Sequence, residues 1–245
     1  MMRHWLTIAY SMLTLLFGIV VPVMGVDAVK FPQTILYKII VRDQVVGQSI
    51  LEFSSSSAFP STYQLALVKF QGLGYESQDR LYTYINQKDL SLHDAQLKKG
   101  DKIQYEVRAM EKEGIDLAKR QAYVFKEAGS KGTIDTILYT DYKVIDLLSS
   151  FLIASEKKRT GNKEPEKFNL FIGKSTRIVD MLYSGEEKFA YKGDTITTDV
   201  LVISNNNQEI LRFNIYTKDG LYYPIRVSIV DEKEGTMQLI ADRIR

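Results

Sequence analysis

Strict alternation of apolar and polar residues is the feature that most constrains what this chain can fold into. In "KIQYEVRAME", Ile103, Tyr105, Val107 and Ala109 share one side of an extended chain, and charged or amide side chains share the other. A period of two is that of a β-strand with one buried and one solvated face. About a dozen segments alternate in this way or are rich in β-branched and aromatic residues. The sequence therefore predicts a mainly β protein.

The same alternation predicts further buried sets, which are Ile35, Tyr37, Ile39 and Val41; Leu211, Phe213 and Ile215; Leu221, Tyr223, Ile225, Val227 and Ile229; and Met237, Leu239 and Ala241. Short segments such as "KKGD" at 98–101 and "KDGL" at 218–221 separate the predicted strands and supply the Gly and Asp that tight turns need. Short loops between neighbouring strands indicate an antiparallel meander. Pro224 interrupts one alternating segment and indicates an edge, a bulge or a strand start there.

One segment in the second half of the chain, "TDYKVIDLLSSFLIASEKK" at 140–158, has helical periodicity instead. We predict a helix over about 141–155 that begins at Asp141, whose carboxylate can cap the first turn. The predicted apolar stripe consists of Val144, Leu147, Leu148, Phe151 and Leu152. Burial of these side chains contributes on the order of 10 kcal/mol before entropy, at ~1.5–3 kcal/mol each.

The polar residues Asp146, Ser149 and Ser150 fall on the remaining arc of this helix. A stripe so broad requires a concave apolar surface. We therefore predict a strongly curved antiparallel sheet or half-barrel that wraps one central helix.

The N-terminal segment is typical of a secretory signal peptide. Arg3 precedes an uncharged run over 4–26, and small residues follow at Gly25 and Ala28. This predicts a signal peptide over 1–28, cleaved after Gly25 or Ala28, and a single domain over 29–245 that is exported to the periplasm. An alternative is an uncleaved inner-membrane anchor, because the 19 residues of 6–24 approach the ~20 that span a bilayer.

Composition excludes several classes of function. The chain has no cysteine, which rules out disulfides, thiol catalysis and lipoprotein acylation at a cysteine. The 32 basic and 30 acidic residues are interspersed, without the concentrated basic face of a nucleic-acid binder. Beyond a retained signal segment, no membrane contact is predicted.

Catalytic and metal-binding patterns are weak. Outside the signal segment His93 is the only histidine, which argues against a zinc site, and no cofactor is predicted. Ser91 and Asp94 are close to it in sequence, but a triad needs convergent geometry that neighbouring strand positions rarely provide. Asp180 lies among apolar residues, and two interpretations are open: an ion pair with Arg177 or a catalytic carboxylate. The chain is therefore predicted not to be an enzyme, and an envelope hydrolase ranks lowest among the alternatives.

The 15 tyrosines and 11 phenylalanines fall mostly in predicted strands. Two interpretations are open: the rings fill half-buried sheet positions, or they line a cavity for an amphiphile. The candidate cavity wall on the sheet and the helix comprises Tyr105, Val107, Leu147, Phe151, Phe213, Ile215, Tyr223 and Val227.

The order of these features resembles a known family. The opening hairpin "LYKIIVRDQVVGQSILEF", with Tyr37 and Gly47, the helical "DLLSSFLIAS" and the closing hairpin "DGLYYPIRVSIVDEKEGTMQLI" are similar to the bacterial exported family called domain of unknown function 3108. The resemblance covers about 33–243. It implies a curved sheet similar to the lipoprotein-carrier superfamily (LolA and LolB), whose members hold acyl chains in the concave face, and it carries no assigned activity.

Two functional hypotheses follow. The first is an exported, non-enzymatic protein that binds a lipid or other apolar small molecule between the bent sheet and the helix. The second is an envelope scaffold or assembly factor that binds a protein partner through an edge or a face of the sheet.

Overall fold

The computed structural model describes residues 29–68, 79–100, 102–109, 121–129, 132–172, 175–231 and 235–245. The predicted signal peptide lies outside these residues, so its presence and its cleavage site stay predictions. The division into segments 1–28 and 29–245 is likewise untested.

The first half of the chain contributes eight strands, which are β1 Thr34–Val41, β2 Gln44–Ser55, β3 Thr62–Val68, β4 Asp79–Asn86, β5 Leu92–Lys99, β6 Lys102–Ala109, β7 Gln121–Gly129 and β8 Gly132–Thr140. The second half contributes β9 Lys143–Ile145, β10 Glu166–Ile172, β11 Ser175–Tyr191, β12 Asp194–Asn205, β13 Gln208–Lys218, β14 Leu221–Asp231 and β15 Gly235–Ile244. One helix of the described residues, α1 Leu147–Thr160, joins β9 to β10.

All fifteen strands form one curved sheet in the order β8-β7-β6-β5-β4-β3-β2-β1-β15-β14-β13-β12-β11-β10-β9. Neighbours pair antiparallel except β9 and β10, which run parallel because the helix crosses over between them. The two halves of the meander join in the middle of the sheet through β1 and β15, for example at Ile39↔Leu239. The predicted mainly β fold and the curved antiparallel sheet are confirmed.

The helix starts six residues later than predicted. Asp146, rather than Asp141, is the N-cap: its Oδ1 accepts a 2.8 Å hydrogen bond from the Ser149 amide, and the Ser149 hydroxyl accepts a 2.7 Å bond from the Asp146 amide. Residues 143–145 instead form β9, because the β-branched Val144 and Ile145 favour an extended chain paired with β10. The helix ends at Gly161, whose φ of 68° places it in the left-handed region typical of C-caps.

The sheet surrounds the first two turns of the helix on every side. Each residue of 148–155 is buried, including Ser149 and Ser150, which fell on the predicted polar arc. Their hydroxyls are satisfied within the helix; the Ser150 hydroxyl, for example, donates 2.6 Å to the Leu147 carbonyl. The helix contacts β3 and β4 from the first half of the sheet and β13 and β14 from the second. The prediction that it occupies the hollow of the sheet is confirmed.

The sheet curls until its far end meets its own face. β9 contacts β5, although the two strands are not neighbours in the sheet. A second apolar cluster lies at this overlap and comprises Leu92, Ala95, Val107, Tyr123, Val144 and Phe171. The roll therefore closes through side-chain contacts between these strands.

A β-bulge in β6 places Ile103 on a different face of the strand from the one that alternation predicted. Leu97 pairs with Tyr105, whereas the next residue, Lys98, pairs with Ile103, so Gln104 is the extra residue. The bulge moves Ile103 to the face opposite Tyr105, where 43% of the side chain is exposed. The prediction that Ile103 shares the buried side is therefore wrong.

Candidate functional site

Four of the eight predicted cavity-wall residues lie in the solid core. Phe151, Phe213, Ile215 and Val227 have no exposed surface. A void large enough for water would leave accessible surface on the side chains that line it. The Phe151 ring instead makes edge contacts with Tyr37 and Phe213, at centroid distances of 6.3 and 5.6 Å. Around these described residues the hollow of the sheet is thus filled by its own side chains.

The remaining predicted residues divide between three places. Val107 belongs to the second cluster at the overlap, and Tyr105 contacts both that cluster and the main core. Leu147 is half-buried beside the main core. Tyr223 is 1% exposed and lies at the base of a cleft at one end of the sheet.

This cleft exists because two neighbouring hairpins separate. β12 pairs with β13 only from Asp199↔Ile215 to Asn205↔Gln208, so the first residues of β12, 194–198, pair with β11 alone. β13 continues past that point with β14, as far as Lys218↔Leu221. The tips of the β11–β12 and β13–β14 hairpins therefore diverge, and a cavity of about 610 Å³ lies between them and the end of β15.

We call this cavity the tip cleft. Its lining residues are Tyr191, Lys192, Asp194, Ile196, Tyr216, Lys218, Asp219, Leu221, Tyr223, Arg243, Ile244 and Arg245.

A second bulge positions the aromatic base of the tip cleft. Asn214 pairs with Arg226 and Ile215 pairs with Pro224, so Ile225 is the extra residue, and the bulge indicated by Pro224 is confirmed. The shift places Tyr223 opposite Tyr216, and their rings meet edge to face at 6.2 Å. Alternation predicted Tyr223 on the same wall as Ile225 and Val227; Tyr223 belongs to the same buried core cluster as both, and it also reaches the base of the tip cleft.

The cleft combines aromatic walls with a charged rim. Burial raises the pKa of the Tyr223 hydroxyl, and burial followed by the negative charge of Asp242 raises the pKa of Tyr191. Both phenols therefore remain neutral at physiological pH and can donate or accept hydrogen bonds. The rim carries four cationic and two acidic side chains, which are Lys192, Lys218, Arg243, Arg245, Asp194 and Asp219.

A polar brace holds the β11–β12 hairpin over the neighbouring strands. The Glu187 carboxylate accepts hydrogen bonds from Arg226 at 2.7 Å and from Asn214 at 3.2 Å. The Arg226 guanidinium also stacks 4.8 Å from the centre of the Phe189 ring. Partial burial acts to raise the pKa of Glu187, but the bonds from Asn214 and Arg226 outweigh it and hold the pKa below its usual value.

A smaller cavity of about 130 Å³ lies at the C-terminal end of α1. On its wall Lys158 pairs with the buried Asp199 of β12, whose Oδ1 also accepts a 3.0 Å hydrogen bond from the Tyr183 hydroxyl. With both charges paired, this cluster anchors the end of the helix to the sheet.

The residues considered for catalysis do not converge. The His93 ring packs against Phe59 at 4.7 Å, Ser91 donates to Asp89 at 2.7 Å, and Asp94 pairs with Arg108 at 2.7 Å. Within the described part of the chain, no group of three or more His, Cys, Asp or Glu side chains is arranged to hold a metal ion.

Asp180 forms its ion pair with Lys167, at 2.8 Å, and not with Arg177 as one interpretation of the sequence had it. Lys167 lies directly opposite Asp180 in the β10–β11 register, whereas Arg177 lies opposite Leu170. Cross-strand neighbours on one face are closer than residues three apart in the same strand.

Comparisons of the chain with protein-family models, with curated proteins and with solved structures give no significant match. The resemblance to domain of unknown function 3108 and to the lipoprotein carriers therefore stays a prediction. Among the described residues, no helix has both the length and the apolar character needed to cross a membrane.

Proposed function

We propose that the protein is an exported, non-enzymatic binding protein for a lipid or other amphiphile, and that the tip cleft is its binding site. The observation that carries this proposal is a cavity of about 610 Å³ walled by the half-buried Tyr191 and Tyr216, with the buried Tyr223 at its base. Ligand sites typically measure ~300–1,000 Å³ and combine apolar walls with a few polar groups.

The filled hollow favours the tip cleft over the space around the helix. A ligand between sheet and helix would have to displace side chains such as Phe151 and Phe213, which have no exposed surface. Loss of one such aromatic contact costs ~3–5 kcal/mol when the side chain is truncated. The tip cleft, by contrast, offers space between hairpins that are already separated.

The walls fit an amphiphile in physical terms. Tyrosine offers a flat apolar face and a hydroxyl that can hydrogen-bond. Ile196 and Leu221 extend the apolar surface beside these rings. Each Å² of apolar surface that the ligand buries contributes ~25 cal/mol, before the cost of association.

Filling the cleft tests this proposal. Ile196→Trp places a large ring in the cleft at a half-buried position, and Ile178→Trp makes the same change at a position on β11 that is 53% exposed and outside the cleft lining. We expect Ile196→Trp to weaken binding of dodecyl maltoside by about tenfold or more, equivalent to ~1.4 kcal/mol. The measurement is calorimetric titration of the protein recovered from the cell envelope. Equal affinities in both variants would contradict the assignment to the cleft.

Native mass spectrometry gives an independent test. Protein purified gently from the envelope should carry a bound mass of a few hundred daltons, and Ile196→Trp should reduce the occupied fraction while Ile178→Trp preserves it.

One observation favours the second hypothesis, an envelope scaffold that binds a protein partner. β8 is an edge strand of the sheet, and Ile137 on it is 49% exposed. The strand has a single charged residue, Asp135, and neither lysine nor proline, which usually protect exposed edges. An extended segment of another protein can add to such an edge as a further strand.

The absence of cysteine makes this alternative testable. Ile137→Cys introduces a unique thiol at the edge, and Ile178→Cys introduces one at an exposed position on β11. A scaffold predicts a defined crosslink to one envelope protein from position 137 alone. Crosslinks of equal yield from both positions would contradict it.

A further inference from the structure

We propose that the ligand of the tip cleft carries an anionic group, a phosphate or a carboxylate, which Lys218 and Arg245 bind at the rim. This inference rests on the proposed function, because it specifies the chemistry of the amphiphile that the cleft holds. The whole sequence is nearly neutral, with 32 basic and 30 acidic residues. The excess of positive charge at the rim of the cleft is therefore a local feature that needs its own explanation.

The charge of the rim is the first support. Four cationic and two acidic side chains give the lining a net charge of +2. Asp194 and Asp219 oppose an incoming anion but offset only half of the positive charge. Arginine and lysine are the side chains that bind phosphate and carboxylate groups, arginine through a planar pair of donors.

Two of the four cations are already engaged. Lys192 donates to the Asp242 carbonyl, and the Arg243 guanidinium lies 3.9 Å from the Asp242 carboxylate. That carboxylate is in turn 3.0 Å from Lys38. The Lys192 contact binds the end of the β11–β12 hairpin to β15, and the contacts with Asp242 leave both Lys192 and Arg243 less available to a ligand.

Lys218 and Arg245 are the other two. Neither forms an ion pair within the described residues, and both are exposed at the rim of the cleft. Lys218 is close to the aromatic wall: burial raises the pKa of the Tyr191 hydroxyl, and the positive charge of Lys218 opposes that rise. An anionic group at these two residues would place the apolar body of its ligand against the tyrosines.

The charged rim and the aromatic walls of the tip cleft favour one class of amphiphile over the others. An anionic head group gains the attraction of the rim and the contact with the aromatic walls together. A neutral head group gains only the contact with the walls, and a cationic head group is repelled by the net positive rim. The geometry therefore points to an anionic amphiphile.

Three amphiphiles with the same alkyl chain test this inference on the full-length protein recovered from the envelope. Dodecyl phosphate, dodecyl maltoside and dodecyltrimethylammonium are titrated below their critical micelle concentrations. We expect dodecyl phosphate to bind at least about tenfold more tightly than dodecyl maltoside, and dodecyltrimethylammonium to bind most weakly. Added sodium chloride should reduce only the advantage of the phosphate, because salt screens exposed charges.

Paired variants locate the anion site. The double variant Lys218→Gln and Arg245→Gln should lower the affinity for dodecyl phosphate to that for dodecyl maltoside, and leave dodecyl maltoside unaffected. The matched control, Lys88→Gln and Arg177→Gln, removes the same charges outside the cleft lining and should preserve the preference.

The outcomes separate this inference from the proposed function. Equal binding of the phosphate and the maltoside would overturn the anion site while the cleft remains an amphiphile site. Binding of neither would overturn the proposed function itself. Inorganic phosphate that binds as tightly as dodecyl phosphate, and loses affinity in the double variant, would support the Lys218 and Arg245 site and overturn the apolar part of the ligand.

Discussion

The Tyr37 hydroxyl donates a 2.8 Å hydrogen bond to the carbonyl of Pro224, a residue 187 positions further along the chain. The bond is buried and connects β1 to the bulge of β14 that sets Tyr223 opposite Tyr216. Burial, with smaller contributions from Tyr223 and Tyr191, raises the pKa of Tyr37, so its hydroxyl keeps the proton that it donates. This hydrogen bond therefore fixes the core, through Tyr37, and the base of the tip cleft, through Pro224, relative to each other.

Removal of this hydroxyl should destabilise the fold. Tyr37→Phe leaves the Pro224 carbonyl without its buried partner, and we expect a loss of ~1–3 kcal/mol in the free energy of unfolding, measured by urea denaturation. Tyr82→Phe, a half-buried tyrosine of β4, is the control and should change stability by less than about 0.5 kcal/mol. Comparable losses in both variants would show that the Tyr37 bond has no special role.

Asp146 should make stability depend on pH. Burial raises the pKa of this helix-capping carboxyl, although hydrogen bonds from Thr83 and Ser149 act to lower it. The folded state therefore holds the proton more tightly than the unfolded state. The stability that this group contributes is fully present below the unfolded pKa of ~3.9 and falls as pH rises through the folded pKa.

The comparison of wild type with Asp146→Asn isolates this effect. Asparagine keeps a capping oxygen but does not titrate, so the stability of wild type relative to the variant should decline as pH rises from 3.5 to 7. Urea denaturation of both proteins at each pH measures this difference in the free energy of unfolding. A relative stability that increases with pH would mean that the folded-state pKa is lowered instead.

Removal of the Glu187 charge should change the mobility of the β11–β12 hairpin tip more than it changes the free energy of unfolding. Because about a third of this side chain is exposed, we expect Glu187→Gln to reduce stability by less than ~1 kcal/mol. Loss of the brace to Arg226 should nevertheless raise the hydrogen-exchange rate of the amides in 194–198. Glu209→Gln, which removes an ion pair with Arg212 alone, is the control and should leave those amides unchanged.

The filled core predicts a large cost for truncation of Phe151. Phe151→Ala should reduce the free energy of unfolding by ~3–5 kcal/mol, because the surrounding sheet relaxes only partly into the space. Val45→Ala, at a side chain that is 61% exposed, should cost less than about 0.5 kcal/mol. If Phe151→Ala instead kept its stability and bound dodecyl maltoside more tightly, the hollow would be the binding site.

Local patterns predicted the strand faces because each strand buries one side against the same core. Ile35, Tyr37 and Ile39, for example, are fully buried as their alternation indicated. The start of the helix was missed because Asp141 and Asp146 are both good capping residues. The choice between them depends on pairing of 143–145 with β10, which lies beyond the helix in sequence.

The tip cleft could not be predicted from alternation. It arises where the β12–β13 pairing stops at Asp199↔Ile215 and where the Ile225 bulge shifts the register of β14, so that Tyr223 lies opposite Tyr216. Both are properties of register between strands, and a shift of one residue exchanges the two faces of a strand. Pro224 was the single local signal of the bulge, and it did not indicate a cavity.

The junction of β1 with β15 has a kinetic consequence. Ile35 pairs with Ile244, whereas every other antiparallel pair joins strands that follow one another in sequence. Each half of the sheet can therefore form independently, from contacts between strands that are consecutive in sequence. Pairing of β1 with β15 requires closure of a loop that spans nearly the whole described chain, and this closure is slow. Until β1 pairs with β15, both halves of the sheet expose an unpaired edge strand, which can pair with other chains, and a chaperone that covers β1 would protect the folding protein from aggregation.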